Sequence, residues 1–209
     1  MLTEVNDVGE NISGNKQEEL IEMVGNLSKT SSVMVVSGSL PQGVESDYYT
    51  KLFSVAAPGT LKIADTEGPR LLAALKAELD LVKPNKDELQ NTLQQELRSR
   101  DDLLKGCYAL LDKGAKRVLV SLGKRGAIIT DGTKNYYCKS INVAINSTVG
   151  AGDGMVAAAS MMLEQGAPPD EILRAGVAAG TATVTTFGSI SFTKEKYDEI
   201  YANLKLEEF

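Results

Sequence analysis

The 209-residue chain contains no histidine. That excludes Ser-His-Asp and Cys-His catalysis, and most zinc chemistry with them. Any general base must be Asp, Glu, Lys or Tyr. Positive charge is also in deficit: 22 Lys and Arg stand against 28 Asp and Glu, for a net charge of −6. Nucleic-acid partners are therefore not expected, because phosphate backbones call for a basic face. The two cysteines, Cys107 and Cys138, are isolated and read as reduced, partly buried thiols of a cytoplasmic protein. The opening MLTEVNDVGE has neither the basic segment nor the apolar core of a signal peptide. The longest apolar run, 155–163, is far too short to span a bilayer, so no membrane partner is expected. No repeat, low-complexity tract or Pro/Gly/Ser-rich linker interrupts the chain, and residues 1–209 read as a single unit.

What is present is an alternation of strands and helices. VMVVSGS, LKIAD, LDLVKP and RVLVSLG are short, β-branched or aliphatic runs closed by polar or turn residues. AIIT and NYYC flank Asp131-Gly132, a hairpin signal. Helical spacing is read over 46–57, 68–77, from Lys86 onward, 101–113, 152–165, 169–186 and 193–204. Ser99 and Asp102 have capping-box spacing, and Pro169 suits a first helical turn. This pattern implies βαβ units and a largely parallel sheet covered on both faces. In such folds ligands bind at the carboxyl ends of the strands. The polar residues there are Ser37-Gly38-Ser39, Asp65, Lys83-Pro84-Asn85, Ser121-Leu122-Gly123 and the loop from Gly150 to Asp153.

The stretch STVGAGDGMVAA concentrates the chemistry. Glycine inside a helix costs up to ~1 kcal/mol relative to alanine. Gly150 and Gly152 at the mouth of an apolar helix therefore suggest a need for bare backbone. A helix N-terminus offers unpaired N–H groups and partial positive charge, and glycine lets an anion approach them. Asp153 in the same turn would repel an anion unless it takes a proton or holds a metal. Phosphoryl transfer needs both parts together: donors around the migrating group and a carboxylate for the accepting hydroxyl. A tight turn with Asp153 as a cap explains the spacing equally well. A dinucleotide fingerprint does not, since Met155 stands where its third glycine would be, and the chain has no P-loop.

STVGAGD, together with VSGSLPQGV, DLVKPNKDEL and VLVSLGKRGAI in this order, resembles the ribokinase-like sugar kinases. It is most similar to their phosphosugar branch of 1-phosphofructokinases and tagatose-6-phosphate kinases. The resemblance covers nearly the whole chain and implies a three-layer α/β/α fold. It implies that Asp153 takes the proton from a sugar hydroxyl, and that the N–H groups of Gly150, Ala151 and Gly152 form an anion hole for the γ-phosphate of ATP. Lys83 and Asn85 would face the nucleotide phosphates, and Glu88 would act on Mg²⁺. Ser121, Gly123 and Gly126 would line the nucleotide, with Val177 and Thr181 near the adenine. Carbonyls near Ser147 and Val149 resemble a monovalent-cation site for K⁺. Ser37 and Ser39 would touch the sugar side, though turn chemistry explains them as well. Val177 and Thr181 also fit ordinary core, Asn85 and Glu88 an exposed helix face, and Lys124 and Arg125 solvated loop charges.

Two departures stand out. Gly154 occupies a position where the family usually carries Ser or Ala. The chain also begins about a third of the way along the family pattern, without its G-G-x-G-x-N motif, its first strands and its β lid. Two readings follow. One is an ATP-dependent kinase of a phosphorylated ketohexose, fructose 1-phosphate or tagatose 6-phosphate. The other is a nucleotide-binding remnant without independent activity. Either would leave a sheet edge exposed, with self-association as the expected consequence.

Overall fold

The aliphatic runs form strands where period-two alternation can serve two cores at once. In a computed structural model, which describes residues 9–188 and 191–209, the runs become β1 (Val33–Ser37), β2 (Leu61–Asp65), β3 (Leu81–Val82) and β4 (Val118–Ser121). Residues 1–8, the start of the segment used to place the beginning of the family pattern, lie outside the described residues. Three further strands follow: β5 (Ala127–Thr130), β6 (Asn135–Lys139) and β7 (Lys205–Glu208). Among the described residues, these seven strands form one sheet in sequence order.

Strands β1 to β4 pair in parallel, and β4 to β7 pair antiparallel. The sheet is thus mixed, and the parallel character expected of it belongs to its first four strands. For β4, β5 and β6 the reason is connection length. The tight turn at Asp131-Gly132 can only join antiparallel neighbours, whereas each parallel pair is bridged by a helix. The Asp131 carboxylate accepts the N–H groups of Thr133 and Lys134 in that turn.

Adjacent strand residues face opposite sides. Ala64, Val82, Val118, Val120 and Ile128 face one layer, while Ile63, Leu81, Leu119, Ala127 and Ile129 face the other. The first layer holds α1 (Gly14–Ser28), α2 (Tyr48–Ser54), α3 (Gly68–Ala74), α4 (Lys86–Leu93) and α5 (Arg100–Leu111). Phe53, Leu71, Leu75, Leu89 and Leu110 fill it. The second holds α6 (Ala151–Glu164), α7 (Pro169–Thr183) and α8 (Lys194–Asn203), which contribute Met155, Ala159, Ile172, Val177 and Ile200. Each such Leu or Ile contributes ~1.5–3 kcal/mol by burial, so the sheet is fixed from both sides.

Most predicted elements are present within a few residues. The capping box of α5 forms as the spacing implied, with Ser99 Oγ accepting from the Asp102 N–H and the Asp102 carboxylate accepting from the Ser99 N–H. Helix α1 and strand β7 were not anticipated. The first buries only one side, through Ile21 and Val24, and leaves Leu20, Met23 and Leu27 exposed. The second is the polar run KLEE, which becomes a strand by pairing with β6. The helix expected over 169–186 ends at Thr183.

Parallel register carries Ser37, Asp65, Lys83 and Ser121 to one end of the sheet. The loop before α6 returns to that same end.

Candidate active site

Lys83 follows β3, and its N–H bonds the Ala64 carbonyl of β2. Its ammonium lies 2.9 Å from Asp65 Oδ1, with only 4% of the lysine and 13% of the aspartate side chain exposed. Nζ also lies 3.6 Å from the point where a Cβ on Gly152 would stand. A buried cation is therefore held against the first turn of α6. Asp65 was noted in the sequence only as a polar residue past a strand. Its functional signal was its strand-end position, which spacing alone could not link to Lys83.

Asn85 caps α4. Its Oδ1 accepts the Glu88 N–H at 2.9 Å, and Glu88 Oε2 accepts the Asn85 N–H at 2.7 Å. This is a full capping box, worth ~0.5–2 kcal/mol at the cap. Burial pushes the Glu88 carboxyl above the ordinary glutamate range. The Asn85 N–H and the Lys83 charge oppose that shift, and the Asp65 and Glu67 charges reinforce it. Asn85 and Glu88 are thus a cap rather than a merely solvated face. Among the described residues no group of three or more His, Cys, Asp or Glu side chains could hold a metal. Magnesium usually takes one or two protein carboxylates and completes its shell with water and phosphates, and Glu88 fits that limited role.

Ser121 ends β4 and its N–H bonds the Pro84 carbonyl, which ties the α4 entry to the next loop. That loop turns through Gly123–Arg125 and closes with the Leu122 N–H on the Gly126 carbonyl. Gly126 has φ +97°, and a Cβ there would overlap the Cys138 carbonyl oxygen. Here glycine is required by close approach of the β6 backbone.

Gly150 is the N-cap of α6 at φ +78°, a left-handed conformation that favours glycine. The preceding loop is tied to the end of α7, since the Asn146 N–H donates to the Val184 carbonyl and Asn146 Nδ2 to the Thr185 carbonyl. Asp153 stands exposed in the first turn.

Two cavities meet this turn. One, of about 330 Å³, brings together seven predicted residues: Ser121, Gly123, Gly126, Ala151, Gly152, Val177 and Thr181. Thr181 Oγ1 lies 3.1 Å from Ser140 Oγ in its wall. The other, of about 820 Å³, is bordered by Gly150 and Asp153. The predicted set is therefore divided across one helical turn. Lys83 lies beneath that turn, and Asn85 and Glu88 lie next to Lys83. Ser37 and Ser39 are exposed at the end of β1 and line neither cavity. Lys124, read as a solvated charge, lines the smaller cavity. Ile141, Val143 and Ile145 also line it and were missed. Their signal was period-two alternation in a segment assigned to no element.

Comparison with known proteins identifies the family. The family model described as pfkB family carbohydrate kinase matches residues 2–196. ATP-dependent 6-phosphofructokinase isozyme 2 of Escherichia coli (strain K12) is 37% identical over 191 residues, which is 90% of this chain and 60% of that protein. The 1-phosphofructokinase of Borreliella burgdorferi is 33% identical over 87% of this chain and 59% of its own length. A tagatose-6-phosphate kinase of Staphylococcus epidermidis is 30% identical over 99% of this chain and 68% of its own. Phosphofructokinase-2 from Escherichia coli in complex with potassium superposes with a TM-score of 0.84 at 37% identity, covering 91% of this chain and 62% of that one. The chain thus spans about 60% of the length of the first two of these relatives.

Proposed function

The chain belongs to the pfkB family of carbohydrate kinases, and from that premise we propose that it is the nucleotide-binding and catalytic-base part of an ATP-dependent phosphosugar kinase. Its reaction is transfer of the γ-phosphoryl group to a hydroxyl of a phosphorylated ketohexose. Fructose 1-phosphate, giving fructose 1,6-bisphosphate, is the first substrate of this reading. Tagatose 6-phosphate is the alternative, since relatives named for both chemistries match the chain. The observation that carries the proposal is the position of the first turn of α6. Ala151 and Gly152 border one cavity, and Gly150 and Asp153 the other. A group held at that turn is reachable from both sides, as an in-line transfer demands.

In this reading the base and ribose of ATP occupy the smaller cavity, against Val177, Thr181, Ser121, Gly123 and Gly126. Its phosphates run toward Lys83 and Asn85. The N–H groups of Gly150, Ala151 and Gly152 surround the γ-phosphoryl group and stabilise the charge that develops on it. The sugar hydroxyl approaches from the Asp153 side. A bond forms between the hydroxyl oxygen and phosphorus, the β–γ bridging bond breaks, ADP leaves, and the hydroxyl proton passes to the Asp153 carboxylate. Glu88 would hold Mg²⁺ through water; the ion supplies neutralisation of phosphate charge. A monovalent cation near the carbonyls of Ser147 and Val149 belongs to the same proposal, in line with the potassium complex of the Escherichia coli relative. Ser37 and Ser39 are assigned to the sugar side. A cytoplasmic setting completes the reading.

A second reading is a nucleotide-binding unit that turns over only with a partner chain. It is supported by the outer edge of the sheet. Among the described residues strand β1 is the first strand of the sheet, and Val35 on it is 43% exposed. Met161 on α6 is 63% exposed. Unpaired edges and apolar patches recruit other chains, and self-association through β1 is part of this reading. The deciding experiment is ADP release with fructose 1-phosphate and with tagatose 6-phosphate, with and without an added N-terminal segment of a relative. Turnover by the chain alone supports the first reading. Turnover only with the added segment supports the second. No turnover under either condition removes the kinase proposal for this chain.

A further inference from the structure

Helices α6 and α7 cross on small residues. A Cβ on Gly180 would stand 3.1 Å from the Ala151 carbonyl oxygen, and one on Gly176 would stand 3.1 Å from Met155 Cγ. The last contact of this crossing is Thr183. Its Oγ1 donates to the Ala179 carbonyl at 2.9 Å, one turn back, which fixes the side-chain rotamer. In that rotamer Oγ1 is 2.6 Å from the point where a Cβ on Gly154 would stand, and Cγ2 is 3.7 Å from the corresponding point on Gly150. One side chain therefore covers both ends of the turn Gly150–Gly154. The Gly154 N–H closes this turn onto the Gly150 carbonyl at 2.8 Å. Thr183 also borders the same cavity as Gly150 and Asp153.

We propose that Thr183 is a positioning residue for the α6 turn, setting where the N–H groups of Gly150 to Gly152 and the Asp153 carboxylate stand. Position 154 is glycine because Thr183 fills the room a side chain there would need. Gly154 and Thr183 are thus a matched pair across α6 and α7. The proposal rests on reading this turn as the phosphoryl cradle. Its consequence is selective, because Thr183 is absent from the lining of the smaller cavity, which Val177, Thr181 and Val184 of the same chain segment border. Disturbing Thr183 should affect what binds at the turn and spare what binds in that cavity.

The test uses the intact chain and the variants Thr183→Ala, Thr183→Ser, Gly154→Ala and Gly154→Ala/Thr183→Ala. Amide hydrogen exchange reads the turn directly, without any ligand. In Thr183→Ala, exchange at the Gly154 and Met155 amides should rise about tenfold or more, with α5 unchanged, since local opening is governed by local contacts. Thr183→Ser keeps the Oγ1 bond and should stay near wild type. Unchanged exchange at Gly154 and Met155 in Thr183→Ala overturns the proposal.

Nucleotide titration then reads the consequence, with ATP and AMP as probes. Gly154→Ala should weaken ATP binding about tenfold or more while AMP binding holds within about twofold, because displacement of ~1 Å at a phosphoryl site is costly. The double variant should recover most of the ATP affinity. A double variant as impaired as Gly154→Ala, or parallel losses for ATP and AMP, overturns the proposal. If the wild-type chain binds neither nucleotide, the kinase reading of the turn fails, and the exchange data still decide whether Thr183 positions it.

Discussion

Lys83 Nζ stands 2.9 Å from Asp65 Oδ1 in a site that leaves 4% of one side chain and 13% of the other exposed. Two adjacent parallel strands deliver the partners: Asp65 ends β2, and Lys83 follows β3. The ammonium would be costly to bury alone beside a helix N-terminus, which carries positive character of its own. The Asp65 carboxylate offsets that cost and leaves the cation beside Gly152.

Asp65→Asn should therefore destabilise the fold by ~3–5 kcal/mol, the range for removing one partner of a buried pair. Asp65→Asn/Lys83→Met, which removes both charges, should recover much of that loss. Urea unfolding of the single and double variants measures it. A double variant no more stable than Asp65→Asn would show that the pair is not coupled.

Asp153 makes a different prediction because it is exposed. Asp153→Asn should leave stability and ATP affinity nearly unchanged. In any preparation that turns over, it should lower turnover by ~10²–10⁴-fold, the range for loss of a general base. Steady-state rates and ATP titration on one sample check both halves. Near-normal turnover would remove Asp153 as the base.

Glu88 makes a prediction about pH. Burial raises its carboxyl above the ordinary glutamate range, so the folded-state value exceeds that of the unfolded chain. Folding therefore shifts Glu88 toward its protonated form relative to the unfolded chain. The stability this contributes is complete below about pH 4.3, the ordinary glutamate value, and is lost as pH rises through the raised folded-state value. Glu88→Gln cannot titrate and still accepts the Asn85 N–H. Its melting temperature relative to wild type should climb in its favour as pH rises from ~4 to ~7. A gap that does not change with pH would contradict this. The same variant should also blunt the Mg²⁺ dependence of any turnover, as the assigned metal role requires.

Local chemistry was the legible part of this chain. Strand runs such as VMVVS and LKIAD, the Ser99–Asp102 box and the Asp131-Gly132 turn declare themselves within a few residues. Contacts between distant segments were not legible. Nothing near Asp65 in sequence points to Lys83, and nothing near Gly154 points to Thr183. Helix α1 was missed because its outer face carries Leu20, Met23 and Leu27, which blurs the polar side expected of a surface helix. Strand β7 was missed because KLEE has little β propensity and takes its conformation from pairing with β6. For the site, four motifs located the strand ends, but the division of the turn between two cavities is a property of packing. Ile141, Val143 and Ile145 carry a period-two signal, but that they line a cavity needed the fold to become visible.

In the proposed reading, the first turn of α6 binds the phosphates of ATP while the neighbouring cavity holds its base. Backbone amide chemical shifts of the intact chain, followed through titrations with ATP and with AMP, test it most directly. Both nucleotides should shift the amides of Ser121 to Gly126 and Val177 to Thr181, and ATP alone should shift those of Gly150 to Asp153. Identical responses to ATP and AMP at Gly150 to Asp153, or none to either, would contradict it.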